Sequence, residues 1–128
     1  MSVNILLYVA AGGAIGAVGR FLVMNQIGQM IGHGFPYSTL VVNVIGSFVL
    51  GSIMELSALV WSPSPEIRAM VVVGMLGAFT TFSTFSLDVY YLINRGEIAS
   101  AWLYITVSVL FSVGAFFGGA ALFRQLLS

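Results

Sequence analysis

Four apolar stretches, each long enough to cross a bilayer, take up almost the whole chain. They run at about residues 4–24, 38–60, 67–93 and 98–122, and a membrane-spanning helix needs about 20 predominantly apolar residues. Only 6% of the 128 residues are charged and the mean hydropathy is +1.07, whereas soluble domains carry about 25% charged residues. We therefore predict an all-α membrane protein, built as a single domain of four transmembrane helices.

The segments between these stretches are short and rich in residues that end helices. NQIGQMIGHGFPY predicts an interfacial end and a loop, WSPSPE carries two prolines, and NRGE predicts a turn with Gly96 as the helix stop. The N-terminal MSVNILLYVAAGGAIG lacks a basic region, so we expect it to form the first span and not a cleaved signal peptide. Four spans place both termini on one side of the membrane.

The charges give no preferred orientation. The chain has no lysine and a net charge of zero, which argues against nucleic acid as a partner. Arg68 and Arg124 lie on the side of the termini, whereas Arg95 and Arg20 lie on or near the other side, so the positive-inside rule is evenly balanced. We expect dual topology and an antiparallel homodimer with its two-fold axis in the membrane plane. The alternative is a single orientation that is set by folding.

Glycines in the spans predict close helix packing. Gly12-x-x-x-Gly16 in the first span and Gly114-x-x-x-Gly118 in the fourth have the spacing that lets two backbones approach each other.

Polar side chains inside the second and fourth spans fall on two helix faces. Thr39 and Asn43 are four residues apart, and Tyr104, Ser108 and Ser112 form a stripe about 12 Å long at the helical rise. A hydroxyl can simply bond back to its own helix. Because several polar groups are in register where each is unfavourable in lipid, we favour a polar path.

The third span contains the run GMLGAFTTFSTFS at residues 74–86, which is rich in hydroxyl groups and carries no charge. Its β-branched and hydroxyl residues, directly after Gly77, predict a break in the helix. Non-helical backbone at membrane depth is tolerated only where protein or a cavity buries it. Carbonyl groups freed by such a break could hold a cation.

Uncharged donors along this path suit a small anion or water. Glu55 and Asp88 do not fall on the polar stripe, whereas a cation path usually shows acidic side chains or carbonyls. Phe82 and Phe85 lie inside the hydroxyl-rich run, and the edge of an aromatic ring is weakly positive. Ring edges could therefore face an anion.

The chain resembles the small fluoride channels of the Fluc family, also called CrcB, over nearly its whole length. The resemblance rests on GGAIGAVGR in the first span, TLVVNVIGSF in the second and, most specifically, GMLGAFTTFSTFS in the third. It implies passive fluoride export across the bacterial inner membrane, by an antiparallel homodimer with two pores.

The resemblance also implies roles for individual residues. Arg20 would lie at an aqueous vestibule, and the main-chain carbonyls of Gly77 and Thr80 would bind a central structural sodium ion. The residues expected to line the pore and bind fluoride are Thr39, Asn43, Phe82, Ser83, Phe85, Tyr104, Ser108 and Ser112.

Two positions depart from the family pattern. Ala78 follows Gly77 where the family often has a second glycine, and this small change should not prevent the turn. Asp88 stands two residues beyond Ser86 where the family often has glutamate, and we assign it no role.

Two other functions remain as alternatives. A small multidrug transporter has four spans and dual topology, but it needs a carboxylate in the first span, and the first acidic residue here is Glu55. A non-transporting assembly protein would explain the glycines but not the polar stripe. An enzyme fits least, because no nucleophile–base pair or metal-ligand cluster is apparent and His33 stands alone beside a loop.

Overall fold

The structure, a computed structural model, describes residues 2–128, and nearly all of these residues are helical. Helix α1 is Val3–Ile31, α2 is Tyr37–Leu59, α3 covers residues 65–79, α4 is Phe82–Asn94 and α5 is Ile98–Leu127. Helices α3 and α4 together form the third apolar span, Pro65–Asn94, so four stretches are long and apolar enough to cross a membrane. The predicted fold class, with its break in the third span, is confirmed. The antiparallel dimer stays a prediction.

The helices begin and end at residues whose local chemistry explains the boundary. Ser64 caps α3, because its Oγ accepts the Ile67 N–H at 3.2 Å and Pro65 occupies the first helical position. Gly32 and Gly96 follow the ends of α1 and α4 with φ of 95° and 80°, a conformation that glycine adopts without strain. The predicted helix stop at Gly96 is therefore confirmed.

Helix α1 is longer than the span predicted at residues 4–24. The segment expected to be an interfacial end and loop stays helical to Ile31, and only residues 32–36 form the loop. Glutamine is a good helix former, and buried Gly28 packs against the His33 imidazole, where a Cβ would lie 2.6 Å from a ring carbon. The turn comes only at Gly32.

The molecule consists of two helix pairs, α1 with α3 and α2 with α5. Buried Gly12 and Gly16 let α1 lie directly against the Met70 and Met75 carbonyls of α3. Gly74 on α3 is equally close to α1, because a Cβ there would lie 2.6 Å from the Val9 carbonyl oxygen. The packing predicted for the first span is confirmed.

The prediction for Gly114 and Gly118 is not matched within the chain. A Cβ added at either residue would meet no atom within 4 Å. Helices α2 and α5 instead meet at two other glycines. Buried Gly119 of α5 lies against α2, and Gly51 of α2 lies against the Phe116 carbonyl of α5. The close contact of α5 with α2 is thus made by Gly119, one position beyond Gly118.

Helix α3 is wound more widely than an α-helix along most of its length. Ala69–Leu76 is a π-helix, and the Gly77 N–H donates to the Val72 carbonyl five residues back. The helix ends at Phe79, after which Thr80 and Thr81 are extended. This places the break beside α2 and α5.

Candidate functional site

The break in the third span is two residues long and is stabilised by hydrogen bonds at both ends. Thr80 has φ −87° and ψ 159°, and Thr81 has φ −152° and ψ 119°. The Thr80 N–H and Oγ1 both donate to the Leu76 carbonyl, at 3.1 and 3.0 Å. Thr81 caps α4, because its Oγ1 accepts the Thr84 N–H at 3.2 Å. The threonines of the run therefore end one helix and begin the next.

Two side chains from other helices bind the backbone of the break. Asn43 of α2 donates from Nδ2 to the Thr81 carbonyl at 3.1 Å, and its Oδ1 accepts the Thr81 N–H at 2.8 Å. Arg20 of α1 donates from Nε to the Ala78 carbonyl at 2.9 Å. The structure therefore places both residues at the break itself.

Carbonyl groups of the break remain available to a cation. Within residues 2–128, no group donates a hydrogen bond to the carbonyl oxygens of Gly77, Phe79 or Thr80. Two of these residues, Gly77 and Thr80, are the ones that the family resemblance implies as sodium ligands. The same part of the chain holds no cluster of His, Asp or Glu side chains that could bind a metal. The unpaired oxygens at the break are main-chain carbonyls, and sodium binding by Gly77 and Thr80 stays a prediction.

A cavity of about 350 Å³ lies where the break meets α2 and α5. None of the described residues that line it is charged. Ser108 is 5% exposed, and its Oγ has no hydrogen-bond partner within residues 2–128. Five of the residues expected in the pore line this cavity: Asn43, Phe82, Phe85, Ser108 and Ser112. The two expected sodium ligands, Gly77 and Thr80, line it as well.

A second cavity of about 400 Å³ opens toward the loop between α1 and α2. Thr39 lines it, together with Asp88, Tyr91, Arg95 and His33. Although Thr39 and Asn43 share a helix face, as the sequence predicts, the structure places them at different cavities.

Tyr104 lies between the residues of the two cavities and is completely buried. Its ring packs against Phe85, with centroids 5.1 Å apart, and edge-on against Phe35 at 5.5 Å. Its hydroxyl donates to Asp88 Oδ2 at 2.9 Å. Tyr104 therefore joins α5 to α4 and lines neither cavity itself, but it contacts Phe85 of the first cavity and Asp88 of the second.

The two phenylalanines of the run differ in exposure. Phe85 is half-buried against Tyr104, whereas Phe82 is 77% exposed, and their ring centroids are 5.4 Å apart with the planes tilted by 39°. Ser83 is exposed and lies outside the lining of the cavity, with its Oγ 3.3 Å from Thr81 Oγ1. The roles of all three residues in a pore stay predictions.

Comparison with known proteins places the chain in a family. A sequence profile described as "CrcB-like protein, Camphor Resistance (CrcB)" matches residues 7–120. The chain belongs to the CrcB family. A relative from Rhodospirillum centenum, named fluoride-specific ion channel FluC, is 50% identical over 98% of this chain and 99% of its own length. FluC 1 of Nitrobacter hamburgensis is 44% identical over 98% of this chain and 100% of its own. These matches, with four apolar helices, make the chain a multi-pass bacterial membrane protein.

Several contacts around the site of this CrcB-family chain were not predicted from the sequence. Asp88 binds Tyr104, Thr81 binds Asn43, and Phe35 in the first loop packs on Tyr104. Asp88 follows Phe85 by three residues and so shares its helix face, which is a signal that could have placed it near the path. Nothing in the sequence indicates that the loop between α1 and α2, which contains Phe35, packs against α5.

Proposed function

We propose that this chain is a fluoride-specific channel, through which fluoride leaves the bacterial cell passively across the inner membrane. Relatives in the CrcB family are named fluoride-specific ion channels. The observation that supports it most strongly is the cavity beside the break, in which the buried Ser108 hydroxyl has no partner. A buried unpaired donor in a chargeless cavity suits a small anion that accepts hydrogen bonds.

The chemistry of fluoride explains why the lining carries donors and no charge. Fluoride is small and strongly hydrated, so a narrow path must replace its water with fixed donors. Ser108, Ser112 and the free N–H of the Asn43 amide supply donors, and the edges of Phe82 and Phe85 supply weakly positive C–H groups.

The functional unit that we propose is an antiparallel homodimer with two pores. The chain exposes a large apolar surface that includes Phe82, Gly77, Gly114 and Gly118, and its charges favour neither orientation. A sodium ion bound by Gly77 and Thr80 carbonyls would balance the partial negative charge of oxygens that have no protein donor. It would thereby stabilise the break.

Fluoride efflux from proteoliposomes tests whether transport is passive. Vesicles loaded with potassium fluoride are diluted into fluoride-free buffer at equal internal and external pH, and valinomycin balances the charge. A channel releases fluoride under these conditions, and imposing a proton gradient changes the rate little. Efflux that requires the proton gradient would indicate a coupled exporter and would contradict the proposal.

A further inference from the structure

Asn43 pairs with Thr81 as one peptide group pairs with another in a β-sheet. Its amide both donates to the Thr81 carbonyl, at 3.1 Å, and accepts the Thr81 N–H, at 2.8 Å. Both hydrogen bonds are well within the normal range. One side chain thus satisfies the donor and the acceptor of a single residue 38 positions away in the chain.

The Thr81 peptide groups have no other partner within residues 2–128. The Thr81 N–H makes no backbone hydrogen bond, and its carbonyl accepts none from the first turn of α4. Unpaired backbone groups at membrane depth are strongly unfavourable. Without Asn43, the Thr81 groups would gain partners only from water or from a different backbone conformation.

We propose that Asn43 is a positioning residue, which holds Thr81 extended and so fixes where α4 begins and where Phe82 and Phe85 lie. Phe82 directly follows Thr81 and is the first residue of α4. A change in the Thr81 dihedral angles therefore swings both phenylalanines relative to α5. This inference rests on the proposed fluoride channel, because it concerns how the path is kept in shape.

Arg20 supports this assignment from the opposite side of the break. It binds the Ala78 carbonyl at the end of α3, whereas Asn43 binds the first residue beyond Thr80. The backbone on both sides of Thr80 is thus hydrogen-bonded to side chains of other helices, to Arg20 of α1 before it and to Asn43 of α2 after it. The alternative for Asn43 is a role as fluoride ligand alone, for which only one Nδ2 hydrogen remains free.

Amide hydrogen exchange and fluoride efflux, measured on the same variant, separate these roles. Asn43→Ser keeps a donor at the cavity, but its hydroxyl is too short to reach Thr81. We expect the Thr81 amide to exchange at least about tenfold faster than in the wild type, and fluoride efflux to fall by at least about tenfold. Asn25→Ser makes the same change at an exposed position of α1 and should alter neither measurement.

Other results overturn either the inference or the proposed function on which it rests. Reduced efflux with unchanged Thr81 exchange would make Asn43 a ligand and not a positioning residue. Faster exchange with normal efflux would show that the pairing does not shape the path. If Asn43→Ser does not fold, amide exchange in the wild type tests the pairing. The wild-type Thr81 amide should exchange at least about tenfold more slowly than the Ser83 amide. Equal exchange rates would contradict the pairing. A wild type that releases no fluoride would instead refute the proposed function, while the exchange measurement still reports on Asn43.

Discussion

At the residue scale, polar side chains in this protein act on backbone as much as they line a cavity. Asn43 and Arg20 bind the peptide groups of the break, and Tyr104 binds Asp88 between two cavities. The sequence predicted that these polar residues lie inside the spans, because lipid disfavours them. Their partners could not be predicted, since pairing across helices depends on how the helices are rotated against each other.

Replacing either phenylalanine of the break by isoleucine should slow fluoride release. Phe82→Ile and Phe85→Ile keep apolar bulk but remove the weakly positive ring edge, and we expect efflux from proteoliposomes to fall by about tenfold. Phe21→Ile, at an exposed position on α1, is the control. Wild-type flux in both variants would rule out a role for the ring edges.

Tyr104→Phe should destabilise the protein although the ring and its packing remain. The variant leaves Asp88 without the hydroxyl donor that lies 2.9 Å away. We expect the free energy of unfolding to fall by about 1–3 kcal/mol, measured by thermal unfolding in detergent. Tyr90→Phe, which changes an exposed tyrosine, should have no effect, and equal stability of the two variants would show that the Tyr104–Asp88 bond contributes little.

At the scale of the helices, the break and the spans were predictable but the contacts were not. A hydroxyl-rich run after Gly77 indicates weak helix formation, and long apolar stretches indicate spans. The small-residue pair Gly114 and Gly118 lies on an open face, whereas Gly119 meets α2. Spacing alone identifies a face that permits close packing without identifying what packs on it.

Neighbouring glycines of α1 provide a matched test of the packing between α1 and α3. A Cβ on Gly12 would overlap the Met70 carbonyl, whereas one on Gly13 would meet no atom within 4 Å. Gly12→Ala should therefore lower the free energy of unfolding by about 1–3 kcal/mol. Gly13→Ala should be neutral or slightly stabilising, because alanine is the better helix former. Equal destabilisation by both would contradict the packing.

At the scale of the whole molecule, the even distribution of charge supports the proposed antiparallel dimer. Arg124 is paired with Glu55 at 2.9 Å and Arg95 with Glu97 at 2.8 Å. Counted as arginines, Arg68 and Arg124 lie toward the end of the bundle that holds the termini, Arg95 lies toward the other end, and Arg20 binds the break between them. The positive-inside rule then gives no strong preference for one orientation.

Labelling of a single cysteine should reveal both orientations. The natural sequence has no cysteine, so Ser128→Cys places one thiol at the C-terminus. We expect about half of the copies in intact spheroplasts to react with a membrane-impermeant maleimide, and all copies after lysis. Complete labelling, or complete protection before lysis, would establish a single orientation and exclude the antiparallel dimer.

We propose that the uncharged cavity beside the break carries a small anion selectively. Its most direct test is the simultaneous release of fluoride and chloride from the same proteoliposomes, followed with ion-selective electrodes at equal pH on both sides. We predict rapid loss of fluoride while chloride is retained until detergent opens the vesicles. Release of both anions at similar rates, or retention of both, would contradict the claim.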